Sequence, residues 1–121
     1  MKKLIFPLLF LLFTLSATGQ TQNELMGKWQ LVKWTHNGKE KDIIKNFKTK
    51  EVYQVFLDDN KFHSVIGDKT KKGKWKLSKD NSRLTITSAL IPVKFKIMSF
   101  DAQKRVIKHA TLGVMEYAKV E

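Results

Sequence analysis

The sequence predicts an all-β protein, an antiparallel up-and-down β-barrel of about eight strands with one short helix between strands 1 and 2. Three observations carry that expectation. Short runs of alternating apolar and polar residues recur along the chain, turn-forming residues separate them, and no cysteine is present to staple the fold. A small domain without disulfides must be held by its core and its backbone ladder. Closing the sheet satisfies the ladder and removes exposed edges.

The first twenty residues, MKKLIFPLLFLLFTLSATGQ, stand apart from this pattern. Lys2 and Lys3 precede an apolar run from Leu4 to Leu15 broken only by Thr14, and the small residues Ala17, Thr18 and Gly19 follow. That is the order of a secretory signal. The run includes Pro7 and is about twelve residues long, against the roughly 20 that a membrane-spanning helix needs. Small side chains at Ala17 and Gly19 place cleavage before Gln20, with a cut after Ala17 as the alternative, so residues 1–19 are read as a cleaved signal peptide and 20–121 as one β-barrel domain. The expected location is outside the cytoplasm, periplasmic or secreted, and soluble after cleavage. Loss of Lys2 and Lys3 takes the formal net charge from +12 to about +10.

Along the mature chain, Trp29 and Leu31 open the first strand. From Lys39 to Phe47, Ile43, Ile44 and Phe47 have the spacing of one helical face and mark the short helix. Tyr53, Val55 and Leu57 are placed on one face of the next strand, Asp58, Asp59 and Asn60 turn the chain, and Phe62 to Ile66 returns. Trp75 and Leu77 alternate with Lys74 and Lys76, and Asp80, Asn81 and Ser82 lead into Arg83 to Thr87. Val93, Phe95 and Ile97 alternate with Lys94 and Lys96, Asp101 to Gln103 turn into Arg105 to His109, and Val114 to Val120 closes the set. A sandwich of the same strands is the alternative architecture. About 100 residues over eight strands leaves roughly 8 per strand, so the barrel is squat and its pocket small or filled.

Catalytic signals are weak. His36, His63 and His109 fall on separate strands or strand ends and form no metal-binding pair, so no metal and no cofactor is expected. Ser64 follows His63, but neighbours on a strand point to opposite faces and do not make a nucleophile and base. Asp58 and Asp59 read as turn chemistry rather than paired catalytic carboxylates. The chain is therefore expected not to be an enzyme. Lys72, Lys74, Lys76, Lys94 and Lys96 project outward, a pattern most often of solvated surface that keeps a small protein soluble, with contact to an anionic partner as the alternative. Nucleic acid is disfavoured, because Trp75 and Phe95 point away from those lysines and cannot stack on bases between them.

The Gly27-Lys28-Trp29 opening resembles the Gly-x-Trp start of the lipocalins and calycins. Together with YQVFLDDNKF and GKWKLSKDNSRLTIT it is similar to the small lipocalin-like domains of exported bacterial proteins, particularly those of Bacteroidetes. The resemblance implies that Gly27 turns the chain tightly and that Trp29 plugs the closed end, packed against Arg105 from a late strand. The central Thr-Asp-Tyr motif of larger lipocalins is absent, which argues against a transporter-type function. GKWQL at Gly27 is echoed as GKWKL at Gly73, read as two similar strand starts rather than a duplication. With the strand pattern, the resemblance leads to a non-enzymatic binding protein for a small apolar or amphipathic ligand, with Tyr53, Phe62, Trp75, Phe95 and Tyr117 as candidate lining. The competing expectation is a filled barrel that works through its basic exterior.

Overall fold

In β1 (Gly27–His36), Trp29 and Leu31 are buried between more exposed neighbours, so the strand has one wet and one dry face. The same alternation repeats along the chain of this computed structural model, which describes residues 22–121. The signal peptide expected at residues 1–19 lies outside the described residues. A short helix α1 (Gln22–Leu25) precedes β1. After it come β2 (Lys39–Lys41), α2 (Ile43–Phe47), β3 (Val52–Phe56), β4 (Lys61–Ile66), β5 (Lys69–Leu77), β6 (Arg83–Ser88), β7 (Ile91–Phe100), β8 (Lys104–His109) and β9 (Gly113–Lys119).

Each barrel strand pairs antiparallel with the next, and β9 returns to pair with β1. The barrel of eight strands expected from sequence is thus the one observed, and closure excludes the sandwich. The ninth strand, β2, pairs only with the far end of β1 as a hairpin extension. It takes up Lys39–Lys41, which the sequence reading placed in the helix. The helix starts later because Asp42 caps it, its side chain accepting a hydrogen bond from the Lys45 backbone N–H at 3.0 Å.

Two bulges reset the period of two. Between Leu31 and Lys33 the β1–β9 register shifts, exposing Val32 and bringing Trp34 opposite the buried Met115. Between Ile97 and Ser99 in β7 the same device exposes Met98 and returns Phe100 to the inside. The floor of the barrel is the end where β1 begins and the β3–β4, β5–β6 and β7–β8 turns lie. Gly27 sits there at φ +126°, where a Cβ would collide with the Glu121 carbonyl oxygen, and Lys28 N–H donates to that oxygen at 2.9 Å. The mouth is the opposite end, rimmed by α2 and the β4–β5, β6–β7 and β8–β9 turns.

One rim turn is unusual. Ala89 and Leu90 connect Ser88 to its partner Ile91 with φ values of 53° and 67°, the two-residue geometry that favours Asn-Gly. Leu90 is 94% exposed there, so no packing compensates for its left-handed backbone. Replacing the pair by A89N/L90G is expected to raise stability by about 0.5–1 kcal/mol, read as a higher urea midpoint with unchanged slope. A lower midpoint would show that the Leu90 side chain contributes contacts that its exposure denies.

Candidate functional site

The interior divides into a filled floor and a shallow mouth. The floor is built on Arg105 of β8, fully buried although it is a cation. Its place follows from strand parity, since Arg105 and Ile107 alternate with the more exposed Lys104 and Val106. The guanidinium carbon lies 4.4 Å from the Tyr117 ring, 4.9 Å from Phe56 and 5.1 Å from Trp29. Nη2 donates to Gln54 Oε1 at 2.7 Å, while Nε and Nη1 have no hydrogen-bond partner among the described residues. Three ring faces stand where a carboxylate would normally be, and their quadrupoles supply the attraction. Burial pushes the Arg105 pKa down to about 10, so the group stays charged at neutral pH, and burial pushes the Tyr117 phenol up to about 12.

Beneath this cluster α1 seals the end. Leu25 is fully buried, Trp29 Nε1 donates to the Leu25 carbonyl at 2.8 Å, and Lys119 Nζ donates to the Glu24 carbonyl at 3.1 Å. Phe100 meets Trp29 edge to face at 5.8 Å.

Above the floor a pocket of about 200 Å³ opens at the mouth, with Phe62, Ile86, Val93, Phe95 and Leu112 as apolar walls. Gln54, Ser64, Lys71 and Ser88 supply polar groups. Gln54 therefore joins the two halves, bonding Arg105 below and lining the pocket above. His109 borders the same end, its ring 5.6 Å from Phe95 and its Nδ1 accepting backbone N–H groups of Thr111 and Leu112. Trp34 crosses the rim, packed on Phe47 and donating to the Leu112 carbonyl at 2.7 Å.

The five candidate lining residues separate accordingly. Phe62 and Phe95 line the mouth pocket. Trp75 and Tyr117 are buried, Trp75 with its Nε1 donating to the Leu57 carbonyl at 2.9 Å and Tyr117 against Arg105. Tyr53 is a correction: Val52 and Phe56 are the buried residues of β3, and Tyr53 lies on the opposite face with Lys28 Nζ 4.3 Å from its ring centre. The outer ammonium replaces the barrel interior as the tyrosine's neighbour. Reading Tyr53, Val55 and Leu57 as the inward set was wrong by one residue. The polar groups of the mouth were missed, yet parity would have found them. Ser64 is two residues from Phe62, Ser88 two from Ile86, and Lys71 four from Trp75.

The three histidines do not converge, and among the described residues no group of three or more His, Cys, Asp or Glu is placed to hold a metal ion. Asp58 and Asp59 form the β3–β4 turn, with Lys61 N–H donating to the Asp58 carbonyl. Among the described residues no helix is long and apolar enough to cross a membrane.

A closed up-and-down barrel with a tryptophan-arginine floor and one open mouth is a calycin-type barrel, a fold typically used for binding. The chain belongs to the family of lipocalin-like domains, whose model matches residues 25–104. Among solved structures it is similar to a lipocalin-like protein from Bacteroides uniformis, at 16% identity and a TM-score of 0.64 over 80% of this chain and 99% of that one. It is similar also to an uncharacterized protein from Bacteroides eggerthii, at 15% identity and a TM-score of 0.63 over 78% and 98%. At these identities the likeness is one of fold. No curated protein matches the chain.

The buried pair has opposing alkaline titrations. Folded Arg105 loses its proton before unfolded Arg105 does, so its contribution to stability rises as pH climbs through about 10. Folded Tyr117 keeps its proton after the unfolded phenol has lost it, so its contribution falls between its ordinary value and about 12. Tyr117→Phe removes the falling part, and the stability of the variant relative to wild type is expected to increase by about 1–2 kcal/mol between pH 9.5 and 11.5 in urea unfolding. A pH-independent difference would show that Tyr117 is not held neutral against the guanidinium.

Proposed function

We propose that this barrel is exported, binds a small amphipathic ligand through its mouth and carries out no chemistry on it. Support for export is the leader pattern of residues 1–19, which implies a soluble periplasmic or secreted product. The observation that carries the binding reading is the mouth pocket of about 200 Å³, apolar on Phe62, Ile86, Val93, Phe95 and Leu112 with one ammonium, Lys71, at its edge. The apolar part of a ligand rests on those walls, and an anionic or hydrogen-bonding head meets Lys71, Ser64 and Ser88. The volume lies below the roughly 300–1,000 Å³ of drug-sized sites, so the ligand is small. Support for a non-enzymatic role is that neither Ser64 nor Ser88 is hydrogen-bonded to a histidine or carboxylate among the described residues.

A second reading rests on the outside. Lys72, Lys74, Lys76, Lys94 and Lys96 are all exposed, and they suit an anionic envelope or extracellular partner. The two readings respond differently to salt, since the mouth offers a single ammonium and depends only weakly on ionic strength, whereas contact with the many charges of the outer face is strongly screened.

Titration with octanoate, followed by native mass spectrometry and calorimetry, tests the first reading. One bound molecule is expected, with affinity reduced about 5-fold or more by Lys71→Glu and lost in Ser88→Trp, which fills the mouth while the far-ultraviolet circular dichroism stays unchanged. Equal binding by Ser88→Trp and wild type would place the ligand elsewhere and end this reading.

A further inference from the structure

The outer face of β5 to β8 carries Lys72, Lys74 and Lys76, then Arg83, then Lys94 and Lys96, then Lys108, all exposed. No aspartate or glutamate occurs on these four strands or on β4. The carboxylates of the described chain lie in α1, β2, the turns, β9 and the last residue. Register sharpens the crowding, for Arg83 stands directly opposite Lys96, Lys96 directly opposite Lys108, and Lys61 directly opposite Lys74. Like charges facing each other across a ladder destabilise it. Lysines commonly guard sheet edges, but β5 to β8 have partners on both sides and present no edge. Solubility requires net charge, which the chain would keep if its acids were interspersed among these bases.

A groove of about 450 Å³ runs over the floor-end halves of β5 and β6, lined by Lys74, Lys76, Thr85, Thr87 and Asn60, with Gln22 of α1 and the edges of Trp75 and Leu77 at its base. Thr85 and Thr87 alternate with the buried Leu84 and Ile86, so their hydroxyls face outward with the lysines. Thr85 is flanked by Lys76 on one strand and Lys94 on the other. Cationic positions thus repeat at roughly 7 Å along a strand and roughly 10 Å across it, with hydroxyl groups between them.

We propose that this groove and its flanking face bind a linear anionic polysaccharide, sulfated or carboxylated. The alternation of ammonium and hydroxyl groups matches a chain that carries anionic substituents between hydroxyls. Nucleic acid fits worse, because the one ring lining the groove, Trp75, is only 3% exposed, packed edge to face on Phe56 and tied through Nε1 to the Leu57 carbonyl, so it is not free to stack on a base. A bilayer fits worse, because the exposed Leu90 and Ile91 lie on the mouth rim and not in the groove. The inference deepens the second reading above and rests on it for the partner's negative charge. It is independent of the mouth pocket.

The test compares three probes on the same protein, a fluorescent heparin oligosaccharide, a single-stranded DNA of equal charge and phosphatidylglycerol vesicles, at low and at about 0.15 M ionic strength. The oligosaccharide is expected to bind most tightly and to stay bound at the higher ionic strength. K74E/K76E should weaken it about 10-fold or more, and T85V/T87V, which leaves the charge intact, about 3- to 10-fold. K33E/K45E, a reversal of equal charge away from the groove, should change it less than about 2-fold. Tighter binding of DNA or vesicles, or an unaltered affinity in T85V/T87V, would overturn the polysaccharide assignment while leaving an anionic partner in place. Absence of binding to all three probes would remove the second reading as well.

Discussion

The barrel is arranged around a buried guanidinium that has no carboxylate partner among the described residues. Arg105 is held by the faces of Trp29, Phe56 and Tyr117 and by one hydrogen bond to Gln54. Such contacts contribute roughly 0.5–2 kcal/mol each, whereas an isolated buried charge costs several, so the rings must be in place for the cation to be tolerated. That requirement fixes the phase of β1, β3, β8 and β9 together, because Trp29, Phe56 and Gln54, Arg105, and Tyr117 come from them in that order. A slip of one residue in any of them would turn its contribution to solvent.

With the floor filled and sealed by Leu25, the apolar pocket among the inward side chains opens at the mouth. Of the polar side chains there, Lys71 and Ser88 lie toward the mouth ends of β5 and β6, and Gln54, in the middle of β3, is satisfied by Arg105. The outer surface is free of this constraint. The sequence nevertheless places bases and no acids on four adjacent strands, against the cross-strand repulsion this creates. One barrel therefore offers two chemically distinct surfaces, an apolar mouth with a cationic edge and a basic face with hydroxyls.

Much of the architecture is legible from the chain because turn residues are frequent and most strands alternate cleanly. Trp75 and Leu77 against Lys74 and Lys76 is the plainest case. The failures have identifiable causes. On β3 both parities are partly apolar, and what decides between them is the polar Gln54, drawn inside by an arginine fifty-one positions away. Hydropathy cannot rank Gln54 above Tyr53 as an interior residue, and the cation lying over Tyr53 makes its outward position comfortable. The bulges at Leu31/Lys33 and Ile97/Ser99 break the period where no glycine announces them. The mouth was hidden for a related reason, since Ser64, Lys71 and Ser88 are polar residues at inward positions, and the binary pattern assigns polar residues to water.

The division into a sealed floor and an open mouth is tested most directly by two-dimensional NMR of the protein during an octanoate titration, following backbone amides and aromatic side chains. Perturbations confined to Phe62, Ile86, Phe95 and Leu112, with Leu25, Trp29 and Phe100 unmoved, are the predicted result. Shifts centred on Trp29 and the Arg105 Nε–H, with the mouth residues silent, would contradict it and show that the floor opens to ligand.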